Sequence, residues 1–388
     1  MTPPESPPES PDESAGVARA WGWVAHLRTG GTTPWARWQE PAPDADQGGR
    51  FLPGAQQLEL LRRLNVAGPP SAGLAARVLT ASAPGRGLPD LGLEGVLPPS
   101  SFGSPPVDPS DLAPEELVRV ATALLAEDVV AAGDPDGPRR VKLLRRRYRM
   151  LGDPELARPI REALIAAGHP PGGPSATVVV LGTGLDRMLA HEWTARSFGA
   201  GVRPWREYVA GERRRTSLSR RFDLAAVAQH WSGRVGPGRV HVVVDDTRLA
   251  ARLAGRRRPV PDQTELSADA VELARRTAPV VGTLVTPERR SRLMWHRFRP
   301  MLAAHPGPPL LVPARHHAWL AGCTADLRRR LSAGGYAVHG DLPEPSVRPG
   351  VTAPDEEGVL ALAMRMLLGS PTATPVDPDS ASATGEVR

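Results

Sequence analysis

The segment that is most suggestive of chemistry lies at 146–173, where a predicted strand leads through a short turn with Gly152 directly into a predicted helix. In such a strand–turn–helix unit, the N–H groups of the first helical turn and the positive end of the helix dipole bind anions, and a lysine neutralises a bound phosphate. The only lysine of the chain, Lys142, precedes the strand. The segment therefore has the topology of a phosphate loop.

Among the ten histidines, His191 is the best placed for acid–base catalysis. It stands beside Glu192 on a predicted helix that follows a predicted strand, and doubly wound folds hold their ligands near the carboxyl ends of their strands. His191 is therefore the candidate catalytic residue. The alternative interpretation is a partly buried structural histidine.

No metal site is predicted. The sequence HEWTA at 191–195 lacks the second histidine of an H-E-x-x-H motif, and the side chains of His316 and His317 diverge on a helix. Asp245 and Asp246 end a predicted strand, at the position where P-loop NTPases have an aspartate that binds magnesium. Because no Gly-Lys-Ser/Thr loop accompanies them, we favour Asp246 as the cap of the helix that follows.

These candidate residues all belong to the region that follows the turn-forming residues 134–138. Short apolar runs alternate there with helical sequences of ten or more residues. The predicted strands cover 146–151, 176–182, 238–245, 309–313 and 336–340, and 279–285 fits either a strand or the end of a helix. Such alternation predicts an α/β domain over 140–369, with a mostly parallel sheet covered by helices on both faces.

The residues before this turn predict a mostly helical, loop-rich N-terminal domain over 15–133. Helical periodicity is present at 17–28, 55–65, 72–82 and 113–133. The tryptophans of this domain either form its core or stack on a sugar or base, and we favour the core; they are Trp21, Trp23, Trp35 and Trp38. The flanking segments 1–14 and 370–388 hold almost no large apolar side chains and predict disordered tails.

Composition limits the class of protein. The single cysteine, Cys323, excludes an intramolecular disulfide framework and fits a reducing compartment. No apolar run approaches the roughly 18 residues of a membrane-spanning helix, and the first residues do not resemble a secretory signal, so a cytoplasmic location is predicted. The formal charge is +6, but most arginine runs are interleaved with acids. Nucleic acid is therefore not the expected partner.

Four further segments carry a resemblance to a known family. They are LAHEW at 189–193, FDLAAVAQHW at 222–231, GPGRVHVVV at 236–244 and RRRLSAGGYAVHGDL at 328–342. Together with the strand–turn–helix segment, this ordered set over about 142–366 resembles the sulfotransferase-like P-loop proteins common in actinobacteria, whose first strand leads into a loop of the form G-x-P-K-T-G-T-T. The resemblance implies a P-loop parallel sheet and, where that loop is intact, 3′-phosphoadenosine-5′-phosphosulfate as the donor.

The chain departs from this family at the groups that would hold the donor. Gly152 and Pro154 match the loop, but Glu155 stands at the position of its lysine, and no second glycine follows. The family's second anchor, an arginine after the next strand, falls at about Thr183. The remaining candidates for holding an anion are Arg158 in the first helical turn and Arg145, Arg146 and Arg147 at the start of the strand.

Three functions remain open. The first is a non-catalytic binding or scaffolding protein without a cofactor, whose donor site is degenerate and whose N-terminal domain could contact a protein partner. The second is an active sulfo- or other group transferase with a variant anion loop, the phosphosulfate donor and His191 as its base. The third is a polyanion or nucleic-acid binder that uses the charge around Lys142. Glu155 favours the first, because a carboxylate at that position repels a phosphosulfate.

Overall fold

The structure is a computed structural model that describes residues 11–42, 51–82, 90–96, 104–134, 146–199, 201–260, 263–346 and 348–369. It divides into two compact units, a helical unit made of Met1–Ala132 with Leu360–Arg388, and an α/β unit made of Gly133–Val359. The predictions for residues 1–10, Lys142, Arg145 and 370–388 lie outside the described residues.

The helical unit contains four helices in its N-terminal part, which confirms the mostly helical prediction. They are α1 (Pro11–Arg28), α2 (Ala55–Ala67), α3 (Ala72–Thr80) and α4 (Pro114–Ala131). Helix α1 begins inside the segment predicted as a tail. Helix α4 starts with a proline and has Glu115 and Glu116 in its first turn, where acidic side chains favour the positive end of the helix dipole.

The tryptophans of the helical unit form its core, as predicted. Trp23, Trp35 and Trp38 are buried, and the ring centroids of Trp23 and Trp35 lie 5.3 Å apart. The Arg19 guanidinium lies 3.9 Å from the centroid of Trp35 and donates hydrogen bonds to the carbonyls of Trp35 and Trp38. Trp21 is half-buried. The three buried rings are therefore occupied by contacts within the protein.

The α/β unit contains a four-stranded parallel sheet flanked by helices, which confirms the predicted fold class. The strands are β1 (Tyr148–Gly152), β2 (Thr177–Gly182), β3 (Val240–Val244) and β4 (Ala337–His339), in the order β1-β2-β3-β4. The first helices are α5 (Pro154–Ala166), α6 (Leu185–Ser197), α7 (Trp205–Arg213), α8 (Leu224–Val235) and α9 (Thr247–Leu253).

Among the described residues, four further helices lie between α9 and β4, and a fifth follows β4. They are α10 (Ala268–Leu284), α11 (Pro287–Leu293), which continues through a π-helical turn into α12 (Arg299–Ala303), then α13 (His317–Ser332) and α14 (Glu356–Gly369). From Leu360 onward α14 belongs to the helical unit, whereas the sequence assigned it to the α/β domain. No helix among the described residues is both long and apolar enough to cross a membrane.

Two predicted strands have other structures. Residues 279–285 form the end of α10, which is the helical alternative. Residues 309–313 make only isolated bridges, from Pro309 to Ser267 and from Leu310 to Val351. The prediction of a strand at 309–313 was therefore wrong, and the physical reason is proline: Pro309 and Pro313 lack the N–H group that a ladder needs.

Helices cover both faces of the sheet. On one face, Val179, Leu181 and Val243 pack with residues of α5 and α9. On the other face, Leu224 of α8 packs against Gly182 so closely that a Cβ there would lie 2.3 Å from it. Because all strands are parallel, they begin at one edge, here called the amino edge, and end at the other, the carboxyl edge.

Candidate functional site

The turn after β1 places an acid where the phosphate-loop topology predicts an anion. Asp153 is the N-cap of α5, and its Oδ1 accepts hydrogen bonds from the N–H groups of Glu155 (3.0 Å) and Leu156 (3.1 Å). These are the first-turn N–H groups that an anion loop offers to phosphate. The carboxylate of the chain itself therefore occupies the predicted anion position.

The second oxygen of Asp153 orients His191. Asp153 Oδ2 lies 2.8 Å from His191 Nδ1, and both side chains are buried. A carboxylate only accepts hydrogen bonds, so Nδ1 carries the proton and Nε2 is the nitrogen that can accept one. Glu192, the sequence neighbour of His191, pairs instead with Arg221 at 3.3 Å. The partner of the histidine is thus Asp153, which the sequence analysis did not single out.

The surroundings of His191 favour its charged form. Burial disfavours the imidazolium, but the Asp153 carboxylate, which also accepts its hydrogen bond, and Glu155 outweigh burial and raise the pKa of His191. Arg187 acts in the opposite direction. A histidine with a carboxylate partner and a raised pKa can donate or accept a proton near neutral pH.

His191 lines a cavity of about 200 Å³ at the carboxyl edge. Glu155, Arg187, Thr194 and Gln263 supply further polar side chains. Its apolar wall includes Leu156, Ile160, Val260, Leu266 and Leu310. Three buried polar atoms of lining residues, Glu155 Oε1, Arg187 Nε and Gln263 Oε1, have no hydrogen-bond partner among the described residues.

Glu155 is neutralised by an arginine from a distant part of the chain. Arg299 Nη2 lies 2.6 Å from Glu155 Oε2, and about a tenth of each side chain is exposed. Arg299 also donates to the carbonyl of Thr264 at 3.4 Å. Because 144 residues separate the two charges, sequence reasoning missed this pair. Glu155 thus belongs to a buried internal ion pair.

The structure does not bring the predicted anion-binding residues together. Arg158 lies with its guanidinium 3.6 Å from the centroid of Trp295, and burial lowers its pKa. It is not among the residues that line the cavity. Arg146 and Arg147 precede β1 and lie at the amino edge, roughly 17–20 Å from Gly152 at about 3.3 Å per residue of extended chain.

Gly152 and Thr183, like Arg158, do not line the cavity. Gly152 has φ +89°, and a Cβ there would lie 2.0 Å from the carbonyl oxygen of Leu181. It allows the close approach of β1 and β2. Thr183 is fully buried after β2, and its Oγ1 has no partner among the described residues. Thr183 is not among the cavity-lining residues.

The two acids at the end of β3 have structural contacts. Asp246 Oδ1 accepts a hydrogen bond from the N–H of Leu249 at 2.7 Å, which confirms Asp246 as the cap of α9. Asp245 has φ +55° and lies 3.4 Å from Arg187 Nη1. Within the described ranges, no group of three or more His, Cys, Asp or Glu side chains is placed to hold a metal ion.

We expect the exchange Asp153→Asn to lower the pKa of His191, because burial then acts without the carboxylate, while asparagine still caps α5. In the wild type, the stabilisation from this pair is complete below the ordinary pKa of 6.5 and is lost as pH rises through the higher pKa of the folded state. Titration of His191 by ¹H–¹⁵N NMR measures the shift directly.

The control for this titration is Asp245→Asn, which removes a carboxylate at the same edge that pairs with Arg187 and not with His191. It should leave the pKa of His191 close to that of the wild type. Equal pKa values in the wild type and in Asp153→Asn would contradict the assignment of Asp153 as the partner.

Comparison with known proteins adds no relative. No protein-family model matches the chain, and searches of the curated proteins and of the solved structures each found no match. The class that the fold and the site define is an α/β domain with a polar cavity at the carboxyl edge of a parallel sheet.

Proposed function

We propose that the α/β unit is a binding domain on a sulfotransferase-like scaffold, which holds a small polar molecule in the carboxyl-edge cavity and does not use a phosphosulfate donor. The observation that carries the proposal is the Asp153 carboxylate on the N–H groups of Glu155 and Leu156. A phosphosulfate would have to compete with this carboxylate for the same first-turn N–H groups. Like charges at such distances repel each other strongly in a buried site.

The cavity favours a ligand that is neutral or zwitterionic. The lining side chains of Glu155 and Gln263 carry acceptors that fit a hydroxyl, amide or ammonium group, and the lining side chain of Arg187 carries donors that fit a carbonyl or carboxylate oxygen. His191 adds a nitrogen oriented by Asp153. The apolar wall provides the contact area that small-molecule sites commonly have. These groups together suit a small molecule with several polar groups and little net charge.

A second candidate function rests on the Asp153–His191 pair. A buried carboxylate that orients a histidine beside a cavity is an arrangement that general-base catalysis uses. On this alternative the domain is a group transferase with His191 as its base. Its donor would bind without the first-turn N–H groups of α5, because Asp153 accepts from them.

Isothermal titration with 3′-phosphoadenosine-5′-phosphosulfate and with 3′,5′-adenosine bisphosphate tests both candidates. We expect no heat for the wild type at millimolar ligand. The double variant Glu155→Lys/Arg299→Met should also show none, because it restores the lysine of the family's loop but leaves Asp153 on the helix N-terminus.

Thermal unfolding of both proteins serves as the control for folding. Micromolar binding by the wild type that Arg187→Ala or His191→Gln abolishes would overturn the proposal and support the transferase. Binding gained only by the double variant would show that Glu155, and not Asp153, excludes the donor.

A further inference from the structure

The amino edge of the sheet has a charge distribution unlike that of the cavity. Four described segments reach this edge: the start of β1 at 146–150, the loop into β2 at 167–176, the end of α8 and the loop into β3 at 231–240, and the end of α9 with its loop at 252–260. They contain nine arginines and no aspartate or glutamate. We call these segments the cationic edge; its arginines are Arg146, Arg147, Arg149, Arg234, Arg239, Arg252, Arg256, Arg257 and Arg258.

Contacts between the segments show that they form one continuous surface. His169 Nδ1 lies 3.2 Å from the carbonyl oxygen of Arg146. A Cβ on Gly255 would lie 3.3 Å from the Cβ of Arg146, so the loop after α9 packs on the start of β1. The loop into β2 is joined to the loop into β3, because Arg239 donates to the carbonyl of Pro174 at 2.9 Å.

Trp231 holds two of the arginines in place. The guanidinium carbon of Arg149 lies 4.6 Å from the ring centroid of Trp231, and that of Arg234 lies 5.6 Å from the centroid. Such cation–π contacts hold guanidinium groups in defined positions without neutralising their charge. The ring is thus used to position cations and is not free to stack on a base.

The arginines of the cationic edge have no acidic partner. Within the described part of the chain, none of the nine forms an ion pair, whereas Arg275, Arg299 and Arg330 each lie against a carboxylate. Arg256 has a structural role, because it donates a hydrogen bond to the carbonyl of Ala163 near the C-terminal end of α5. A positive charge is favourable there, at the negative end of the helix dipole.

That structural role does not extend to the rest of the cationic edge. Arg146, Arg234, Arg257 and Arg258 are exposed, and no described group accepts a hydrogen bond from their side chains. Among the described residues, no carboxylate neutralises their positive charge.

We propose that the cationic edge binds the phosphate backbone of a nucleic acid. Guanidinium groups bind phosphate oxygens with two parallel hydrogen bonds, and their spread over several loops suits a polymer of repeated phosphates. None of the exposed large apolar side chains among the described residues belongs to this edge, which argues against insertion into a membrane. Because the ring of Trp231 is occupied, duplex and single strand should bind alike, with little sequence preference.

The test compares two charge-matched variants by fluorescence anisotropy with a short labelled DNA duplex of random sequence. The edge variant is Arg234→Glu/Arg257→Glu/Arg258→Glu. The control variant is Arg206→Glu/Arg214→Glu/Arg220→Glu. These three arginines are exposed and lie on α7 or between α7 and α8, and none of them forms an ion pair among the described residues. Both variants change the net charge equally, so a difference between them reports the location of the charge.

We expect the edge variant to bind the duplex at least about tenfold more weakly than the wild type, with a shallower dependence on salt, and the control variant to stay close to the wild type. Equal losses in both variants would show that net charge alone drives binding and would overturn the proposal. So would an edge variant that binds as the wild type does. Binding to phosphatidylserine vesicles, with no binding to DNA, would assign the edge to a membrane surface. Circular dichroism checks that each variant is folded.

Discussion

Replacing Arg299 by methionine is expected to lower the free energy of unfolding by about 3–5 kcal/mol. Arg299 and Glu155 form an ion pair of 2.6 Å in which about a tenth of each side chain is exposed. Methionine fills much of the space of the arginine stem but leaves the Glu155 carboxylate buried without its counter-ion. The desolvation cost of that carboxylate then appears in full. Urea unfolding at neutral pH measures the loss.

The double variant Glu155→Leu/Arg299→Met separates the ion pair from packing. Removing both charges leaves no buried carboxylate, so we expect the double variant to lie within about 1 kcal/mol of the wild type or to be more stable. A surface comparison is Arg329→Met, which breaks the exposed pair with Asp326 and should cost about 1 kcal/mol or less. Losses in Glu155→Leu and in Arg299→Met that add up to the loss in the double variant would contradict a coupled pair.

The stability of Arg299→Met should also depend on pH. In Arg299→Met the Glu155 carboxylate is buried without a counter-ion, and burial disfavours its ionised form. Its instability should therefore shrink as pH falls and the group takes up a proton. A loss of stability that is unchanged between neutral and acidic pH would point to lost packing of the arginine stem instead.

Local pattern predicted much of the fold. Apolar spacing predicted α1–α4 and the strands β1, β2, β3 and β4, because each element buries a face set by its own period. The cap at Asp246 followed from a polar residue directly before a helical run. The segment 309–313 failed because its apolar residues indicate a strand while its prolines prevent the ladder.

The site was harder to predict, since its contacts join distant residues. Nothing local to Glu155 indicates Arg299, 144 residues away. Asp153 had a usable signal, because an aspartate directly before Pro-Glu at a helix start is a typical N-cap. The separation of Arg147 from Gly152 was also predictable, because the ends of a five-residue strand lie at opposite edges of the sheet.

Exchanging Gly152 for alanine is expected to have the largest effect of any single methyl group added to the α/β unit. The new Cβ would lie 2.0 Å from the carbonyl oxygen of Leu181, far inside the contact distance, and both atoms belong to paired strands. The backbone also has φ +89°, which disfavours any L side chain. We expect a loss of more than about 3 kcal/mol, measured by urea unfolding or seen as a failure to accumulate as folded protein.

The matched control is Gly236→Ala, at φ +86° with nothing within 4 Å of the added Cβ. It carries the backbone cost alone, at φ 86° and ψ 146°, and should lose about 1–3 kcal/mol. Similar losses at both positions would mean that β1 and β2 can separate without cost, and that Gly152 is not needed for their approach. A much larger loss at Gly152 would assign this glycine to strand packing. Its presence in a phosphate-loop pattern would then be no sign of a bound phosphate, because the sheet itself requires a glycine there.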